Sequence, residues 1–113
     1  MRRPVLNRRL ELQAPVRVAD GAGGYATTYE VLGEVWAGVR PGTGRDSEAA
    51  GLTLAQVPVR ITVRGAPVGS PQRPVAGQRL REGSRVYRIL AVTEADAAGA
   101  YIVCFAREEE VPA

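Results

Sequence analysis

Hydrophobic and polar residues alternate with a period of two along most of this chain. The clearest alternation is VPVRITVR at positions 57–64, where aliphatic residues alternate with arginine and threonine. Such a period is typical of a β-strand that buries one face. Two other runs, RVYRILAVT and YIVCFA, are apolar at nearly every position, which indicates strands covered on both faces. The predicted strands, about six in all, are 9–18, 29–40, 57–63, 79–81, 85–93 and 101–106.

Glycine-rich turns separate these strands at spacings typical of hairpins. The sequence DGAGG at positions 20–24 is the strongest turn signal, because glycine adopts positive φ without steric cost. At most one helical turn is expected, over residues 48–50, with Asp46 or Ser47 as its cap. We therefore predict an all-β fold, a small antiparallel barrel or sandwich with long loops.

The strand at 29–40 carries the only tryptophan of the chain, Trp36. Its odd positions form an apolar face, and Trp36 falls on the opposite, charged face. Two explanations are open. A bulge at Gly33 or Gly38 could turn the indole inward, or the indole could lie outside against another subunit, where tryptophan is a favoured anchor. The apolar odd positions are Val31, Val35, Ala37 and Val39.

Two segments are too polar or too rich in glycine and proline for strands, and they are predicted to be extended loops at 41–56 and 65–78. Loops of this length are uncommon unless they serve a function. The first is therefore either a plain solvated loop or a binding segment. The second contains three prolines and is either an arm that lies over a neighbour or a simple connection.

The length of 113 residues fits one domain. We expect a flexible basic tail at 1–8, a single β-barrel domain at 9–107 and an acidic tail at 108–113. Aromatic residues make up only 5% of the chain, so the core must consist of aliphatic side chains. A small core of this kind is marginally stable alone, and neighbouring subunits could supply the missing burial.

The composition excludes several kinds of chemistry within one chain. There is no histidine and one cysteine, Cys104, which rules out a disulfide framework, a Cys/His zinc site and Ser/His or Cys/His catalysis. The glycine-rich turns lack the Lys-Ser/Thr that follows a phosphate loop, and the paired carboxylates lie in polar loops. We therefore expect no enzyme activity, no cofactor and no metal site.

Charge and hydropathy place weaker limits on partners and location. The net charge is +3, and the arginines are spread along the chain, which is weak support for a nucleic-acid surface. No segment approaches the roughly 20 apolar residues of a membrane span, and residues 1–4 lead into charged sequence rather than a signal core. We expect a soluble protein made in the cytoplasm, with no membrane partner.

An ordered set of short motifs over residues 6–107 resembles a known family. The resembling residues are Leu6, Arg9, Leu12, Gln13, Pro15, Asp20, Gly23, Gly24, Tyr29, Glu30, Val35, Trp36, Ala37, Val39, Arg40, Pro41, Gly44, Arg45, Asp46, Val59, Arg60, Ile61, Gly83, Tyr87, Arg88, Ile89, Val92 and Cys104. Their order is similar to that of the tailed-phage head-tail joining proteins, also called head completion, head closure or stopper proteins, which include gene transfer agent relatives. Val57-Pro58 departs from the Thr and His common in the family, and the segment 65–77 is longer than usual.

The resemblance implies a structural protein of a phage or phage-like particle at the head–tail interface. Such a protein would form a homo-oligomeric ring of about six or twelve copies that closes the portal or adaptor channel. It would retain packaged double-stranded DNA without reading its sequence, and it would present the docking surface for a tail terminator or tail tube protein.

The resemblance also implies two sets of site residues. A channel or stopper loop would comprise Arg40, Pro41, Gly42, Thr43, Gly44, Arg45, Asp46, Ser47 and Glu48. Arg40 and Arg45 would either contact DNA phosphates or pair with acidic residues of the adjacent subunit. A subunit interface would comprise Trp36, Tyr87, Tyr101, Phe105, Pro71, Arg73 and Pro74. Alternatives are an adaptor or tail terminator ring protein within the family, or a small nucleic-acid-binding β-barrel, which would need exposed aromatic residues for base stacking.

Overall fold

Six antiparallel strands make up most of the part of the chain that the structure describes, as the alternation predicted. The structure is a computed structural model that describes residues 3–43, 45, 46, 48, 51 and 58–109. The strands are β1 (Arg8–Ala19), β2 (Tyr25–Pro41), β3 (Pro58–Arg64), β4 (Arg79–Glu82), β5 (Arg85–Glu94) and β6 (Tyr101–Glu109). No helix among the described residues is long and apolar enough to cross a membrane.

The strands close into a barrel in the order β1-β2-β3-β6-β5-β4. Each neighbouring pair is antiparallel, which confirms the predicted all-β fold; of the barrel and the sandwich left open by the sequence, the structure has the barrel. The barrel closes where β1 meets β4, and this ladder is short because β4 has only four residues. Its three pairs are Glu11 with Arg81, Leu12 with Leu80, and Gln13 with Arg79.

The core is aliphatic, as the composition required, apart from Tyr87. Its fully buried members include Leu10, Leu12, Ile61, Leu80, Ile89 and Ile102. Cys104 lies among them, and burial raises the pKa of its thiol to about 12. The thiol is therefore a small apolar group at neutral pH rather than a reactive one.

A bulge in β2 changes which residues face the core. Leu12 of β1 lies opposite Gly33, but Gln13 lies opposite Val31, so β2 contains one extra residue at this point. Gly33 has a φ of 150°, which favours glycine. On the N-terminal side of the bulge the parity is inverted, so Leu32 packs against the core while Val31 is 58% exposed. The expectation that Val31 belongs to the inward apolar face was therefore wrong.

The indole of Trp36 lies on the outside of the barrel and is 54% exposed. Its neighbour on β1 is Arg9, whose guanidinium carbon lies 6.0 Å from the centre of the ring. Of the two explanations left open by the sequence, the outward position holds. The bulge at Gly33 is present, but it acts on the residues that precede it.

The distal halves of β1 and β2 extend beyond the barrel as a two-stranded arm. Within the described chain, β1 pairs with β4 only at residues 11–13, and β2 pairs with β3 only from Ala37 to Pro41. Residues 14–31 therefore form the β1–β2 arm, in which each strand is paired only with the other. The turn at its tip is fixed by Asp20, whose side chain accepts N–H bonds from Ala22 and Gly24. The arm accounts for the long shape of the molecule, 53 × 33 × 24 Å.

The ends of the barrel domain differ slightly from the expected boundaries. Arg8 was assigned to the basic tail but is the first residue of β1, and Glu108 and Glu109 were assigned to the acidic tail but end β6. All three form ion pairs, with Glu82, Arg85 and Arg88 respectively. Residues 110–113 lie outside the described part of the chain.

The Arg8–Glu82 pair links β1 to β4 across one end of the barrel. The Arg8 guanidinium donates to both oxygens of Glu82, and also to the Tyr87 hydroxyl at 3.3 Å. Hydrogen bonding to Arg8 lowers the pKa of the Glu82 carboxyl below its usual range, and the same contact raises the pKa of Arg8. Because both side chains are about one third exposed, the pair stabilises the fold only modestly.

The inverted parity before Gly33 gives a direct test of the fold. Leu32→Ala should lower the free energy of unfolding by about 1–3 kcal/mol, because it removes a half-buried side chain from the core. Val31→Ala should change it by less than about 0.5 kcal/mol, because this side chain is exposed in the monomer. Urea unfolding of both variants measures the difference. The opposite ranking would show that β2 alternates without a bulge.

The Arg8–Glu82 pair predicts a dependence of stability on pH. Glu82→Gln should lower the free energy of unfolding by about 1 kcal/mol at pH 7. Because the folded pKa of Glu82 is lowered, this contribution is complete above the unfolded pKa of about 4.3 and is lost as the pH falls through the lower folded pKa. In urea titrations the free energies of unfolding of the wild type and the variant should therefore converge as the pH falls below about 4. Glu30→Gln is the matched control, and a gap that does not narrow as the pH is lowered from 7 into the acid range would contradict the assignment.

Candidate interaction surfaces

The loop after β2 begins from a firmly held base. Arg40 and Pro41, the first two residues of the predicted channel loop, are the last residues of β2 and pair with Arg60 and Val59. The Gly42 amide then donates to the Pro58 carbonyl at 3.0 Å. The chain therefore leaves the barrel in a fixed direction.

A reciprocal pair of hydrogen bonds begins one helical turn in this loop. The Asp46 amide donates to the Thr43 hydroxyl at 3.2 Å, and the Thr43 amide donates to the Asp46 carboxylate at 2.8 Å. This is a capping box with Thr43 as the cap, so the expectation of Asp46 or Ser47 as the cap was wrong. Arg45, Asp46 and Glu48 are helical, and the Gly51 amide donates to the Glu48 carbonyl. Gly44, Ser47 and residues 52–57 lie outside the described part of the chain.

The second loop, at 65–78, packs against its own barrel. Arg73 donates to the Ala66 carbonyl at 2.9 Å and lies 3.8 Å from Glu94, while Pro74 is fully buried. The Gly77 and Gln78 main chain continues the ladder to Ile89. Pro71 is exposed. Of the three predicted interface residues here, only Pro71 offers much surface to a neighbour.

The remaining predicted interface residues occupy different environments. Tyr87 has no exposed surface and fills the barrel interior, so it cannot contact another subunit while the barrel is closed. Tyr101 and Phe105 are half-buried on the outer face of β6. Trp36 is exposed, as described above.

The bulge gathers aromatic side chains on the outer face of β2. In a regular strand, odd-numbered residues such as Tyr25, Tyr29 and Val31 would lie on the face away from Trp36. The extra residue at the bulge brings them to the same face as Trp36. We call this set, Tyr25, Tyr29, Val31 and Trp36, the aromatic stripe. The sequence patterns did not reveal it, because its position depends on the site of the bulge.

Each aromatic ring of the stripe lies beside an arginine. Arg17 lies 4.4 Å from the centre of the Tyr25 ring, and Arg79 lies 3.6 Å from that of Tyr29. The Tyr29 hydroxyl also accepts a bond from Arg88 at 2.9 Å, which anchors the base of the arm to β5. Exposed tyrosine, tryptophan and arginine are the residues most enriched among the energetic centres of protein interfaces.

A cleft lies on the outer face of β2, β3 and β6, beneath the N-terminal segment. It has a volume of about 680 Å³ and is lined by Arg3, Arg40 and Arg60 together with polar and apolar residues. The segment approaches the sheet so closely that a Cβ at Gly38 would lie 2.5 Å from the Val5 carbonyl oxygen. We call this cleft the arginine cleft. Its lining also includes Val5, Thr62, Asp96, Tyr101 and Val103.

The arginine cleft has a net positive charge, because three arginines and one carboxylate line it. Arg40 and Arg60 are direct cross-strand partners, an arrangement that is destabilising for like charges. None of the ion pairs among the described residues involves either of them or Arg3. Asp96 is the one carboxylate of the lining, and it accepts the Ala100 amide.

The described residues contain no group of three or more His, Cys, Asp or Glu side chains that could hold a metal ion. The surfaces described so far are the aromatic stripe, the arginine cleft and the loop after β2. Exposed aromatic rings and arginines are suited to binding other macromolecules.

Two solved structures resemble this one. The first is a chain of the virion of a native gene transfer agent particle, with 54% sequence identity and a TM-score of 0.75, and the match covers 97% of this chain and 100% of that chain. The second is the solution structure of protein SF1141 from Shigella flexneri 2a, with 24% identity, a TM-score of 0.66 and coverage of 91% and 92%. The second likeness shows the fold alone. No curated protein matches the chain.

The sequence also matches a family model over residues 1–109, which is nearly the whole chain. The description of that family is phage head completion protein. The match includes the strands, the loop after β2 and the N-terminal segment that covers the arginine cleft. The family suggested by the order of short motifs is thereby confirmed, and this chain belongs to the phage head completion protein family.

Proposed function

We propose that the protein is a structural component of the head–tail interface in a gene transfer agent or related phage particle. The observation that carries the proposal is the family match over residues 1–109, together with 54% identity to a chain of a native gene transfer agent virion. A structural role also agrees with the composition, which contains no histidine. The protein acts by contacts with other chains rather than by chemistry.

In this proposal the protein forms a homo-oligomeric ring below the portal and its adaptor, and the tail docks on its other side. The support is the amount of surface that a single copy leaves uncovered. Trp36, Val31 and Tyr25 are all more than half exposed, and they lie on one face of an elongated molecule. Contacts between this face and neighbouring proteins of the particle would bury apolar area in addition to the thin core, so folding stability and assembly are linked by mass action.

The loop at 41–56 is the proposed closing element of the channel. Its base is fixed by the contact between Gly42 and Pro58, and its first turn is fixed by Thr43 and Asp46. A loop with a rigid base and an exposed helical turn can project from a ring without altering the barrel. Arg45 is exposed in that turn and is available for DNA phosphates, a contact that would not depend on sequence.

A second candidate function, single-stranded nucleic acid binding, is favoured by the aromatic stripe alone. Exposed aromatic rings beside arginines are the surface on which such proteins stack bases. Binding of a short oligothymidine by the purified protein would quench Trp36 fluorescence, weaken with added salt and be lost in Tyr25→Ala. Absence of quenching would remove this candidate and leave the head–tail role unaffected.

Replacement of the loop tests its role in DNA retention. In the test variant a short Gly-Ser linker replaces residues 43–51, while Gly42 is retained for its bond to Pro58. Tailed particles should form in normal number, but the DNA that they protect from nuclease should fall at least about tenfold, because the channel is no longer closed. Quantitative PCR after nuclease treatment, with particle counts by electron microscopy, measures this ratio.

The control for this experiment is Ser84→Gly in the β4–β5 turn, which is exposed and far from the loop along the chain. It should leave both particle number and protected DNA unchanged. Loop-replaced particles that retain a normal amount of DNA would refute a closing role for the loop, whatever the effect on tail attachment.

A further inference from the structure

We propose that the β1–β2 arm of one copy occupies the arginine cleft of the next copy, with Glu30 opposite Arg40 and Arg60. The inference rests on the proposed ring and specifies the contact between its subunits. It joins the two features that the isolated chain leaves unsatisfied. The occupant is a second copy of this chain, and the contact is made by the face of the arm that continues the barrel interior.

The arm needs a cover that its own chain does not supply. Beyond the barrel, Val18, Ala26 and Thr28 are exposed, and Val16 is only half-buried. A two-stranded ribbon is marginally stable in water without a third layer. The outer edge of β2 from Tyr25 to Trp36 is also without a strand partner among the described residues, and such an edge is a template for pairing with another chain.

The arginine cleft needs negative charge. Arg40 and Arg60 face each other across the β2–β3 ladder, and Arg3 completes the same lining. Elsewhere in the described chain, arginines near carboxylates form ion pairs, as in Arg85 with Glu108. The planar guanidinium is suited to binding a carboxylate with two hydrogen bonds, and such a bond is strongest in a partly enclosed site.

The two surfaces have complementary composition. The inner face of the arm carries aliphatic residues and one charged side chain, Glu30, which has no ion pair among the described residues. Arg17 points to the opposite face, towards Tyr25. The cleft offers apolar surface from Val5 and Tyr101 beside its arginines. An aliphatic surface with one carboxylate therefore meets a partly apolar cleft with a net positive charge.

The arm cannot reach the cleft of its own chain. Glu30 and Arg40 lie on one continuous strand, ten positions apart. At about 3.3 Å per residue, their Cα atoms are roughly 30 Å apart. The contact must therefore join different copies through two different surfaces, and a head-to-tail contact of this kind generates a ring when its rotation closes.

Other anions could neutralise the cleft, but they explain less of the structure. An acidic segment of another protein, or DNA phosphates, would satisfy the arginines and leave the arm uncovered. Duplex DNA would also make no favourable contact with the apolar surface formed by Val5 and Tyr101. A second copy satisfies the arm and the cleft together.

A cysteine cross-link tests the contact in assembled particles. The test variant carries Thr28→Cys on the inner face of the arm and Thr62→Cys in the cleft. The native Cys104 is buried and does not interfere. Oxidation, or a short bis-maleimide, should yield a ladder of covalent multimers on a denaturing gel without reducing agent, because each copy is joined to two others. The matched control pairs Thr62→Cys with Thr27→Cys, which lies on the opposite face of the arm.

A ladder from the test pair with at most a trace from the control supports the proposal. The absence of a ladder, or equal ladders from both pairs, would overturn it. A covalent link to a different particle protein would identify an acidic segment of that protein as the occupant and would also overturn it. If no variant or wild-type chain is found at the head–tail interface of particles, the proposed function itself fails, which is a separate result.

Charge reversal provides a second readout. Arg60→Glu and Glu30→Arg should each reduce incorporation of the protein into particles by at least about tenfold, and the double variant should recover most of the loss. Arg60→Glu places a carboxylate opposite Arg40, so the isolated monomer should be no less stable than the wild type, and urea unfolding checks this. The proposal would be overturned if Arg60→Glu reduced incorporation but Glu30→Arg neither caused the same reduction nor restored incorporation in the double variant. It would also be overturned if the variants were incorporated normally and the particles lost only their DNA.

Discussion

The short ladder between β1 and β4 determines the form of this molecule. Because β4 has four residues, it can pair with only three positions of β1, and the barrel closes there. The remainder of β1 continues with β2 as its sole partner. A longer β4 would have covered the edge of the arm and produced a self-contained barrel. The structure instead has a closed core and a ribbon that lacks a third layer.

The bulge at Gly33 lies at the same level as this closing ladder, and the two features act together. On the C-terminal side of Gly33 in β2, Val35 faces the core, as does Leu12 of β1. On the N-terminal side, the inverted parity turns Leu32 inward and Val31 outward. The strand thus changes from the wall of a barrel to a ribbon with two distinct exposed faces. The outer face carries the aromatic stripe, and the inner face carries aliphatic residues with Glu30. One inserted residue therefore assigns each side chain of the arm to its surface.

The strands, the all-β class and the family could be predicted from the sequence, but the surfaces could not. Alternation and continuous apolar runs located the six strands, because each strand depends on a local pattern of side chains. The Thr43 cap could also have been predicted from the sequence, since a threonine three residues before an acidic residue is a known helix start. The position of the bulge could not be predicted, because Gly33 and Gly38 are equivalent as local signals. Only the pairing of β2 with β1 distinguishes them. The arginine cleft depends on the register that places Arg40 opposite Arg60, which no single strand specifies.

The burial of Tyr87 shows a similar limit. Strands that are apolar on both faces indicate that something covers them, but not which face is the interior. In β5, Tyr87 fills the barrel, while in β6 the outer residue Val103 is covered in part by the N-terminal segment. Part of the cover inferred from these strands therefore comes from the chain itself. The uncovered apolar surface lies instead on the arm, which the sequence presented as an ordinary hairpin. A protein that assembles can keep a stable closed core and place its unsatisfied groups on a projecting element, so that assembly adds stability without refolding the barrel.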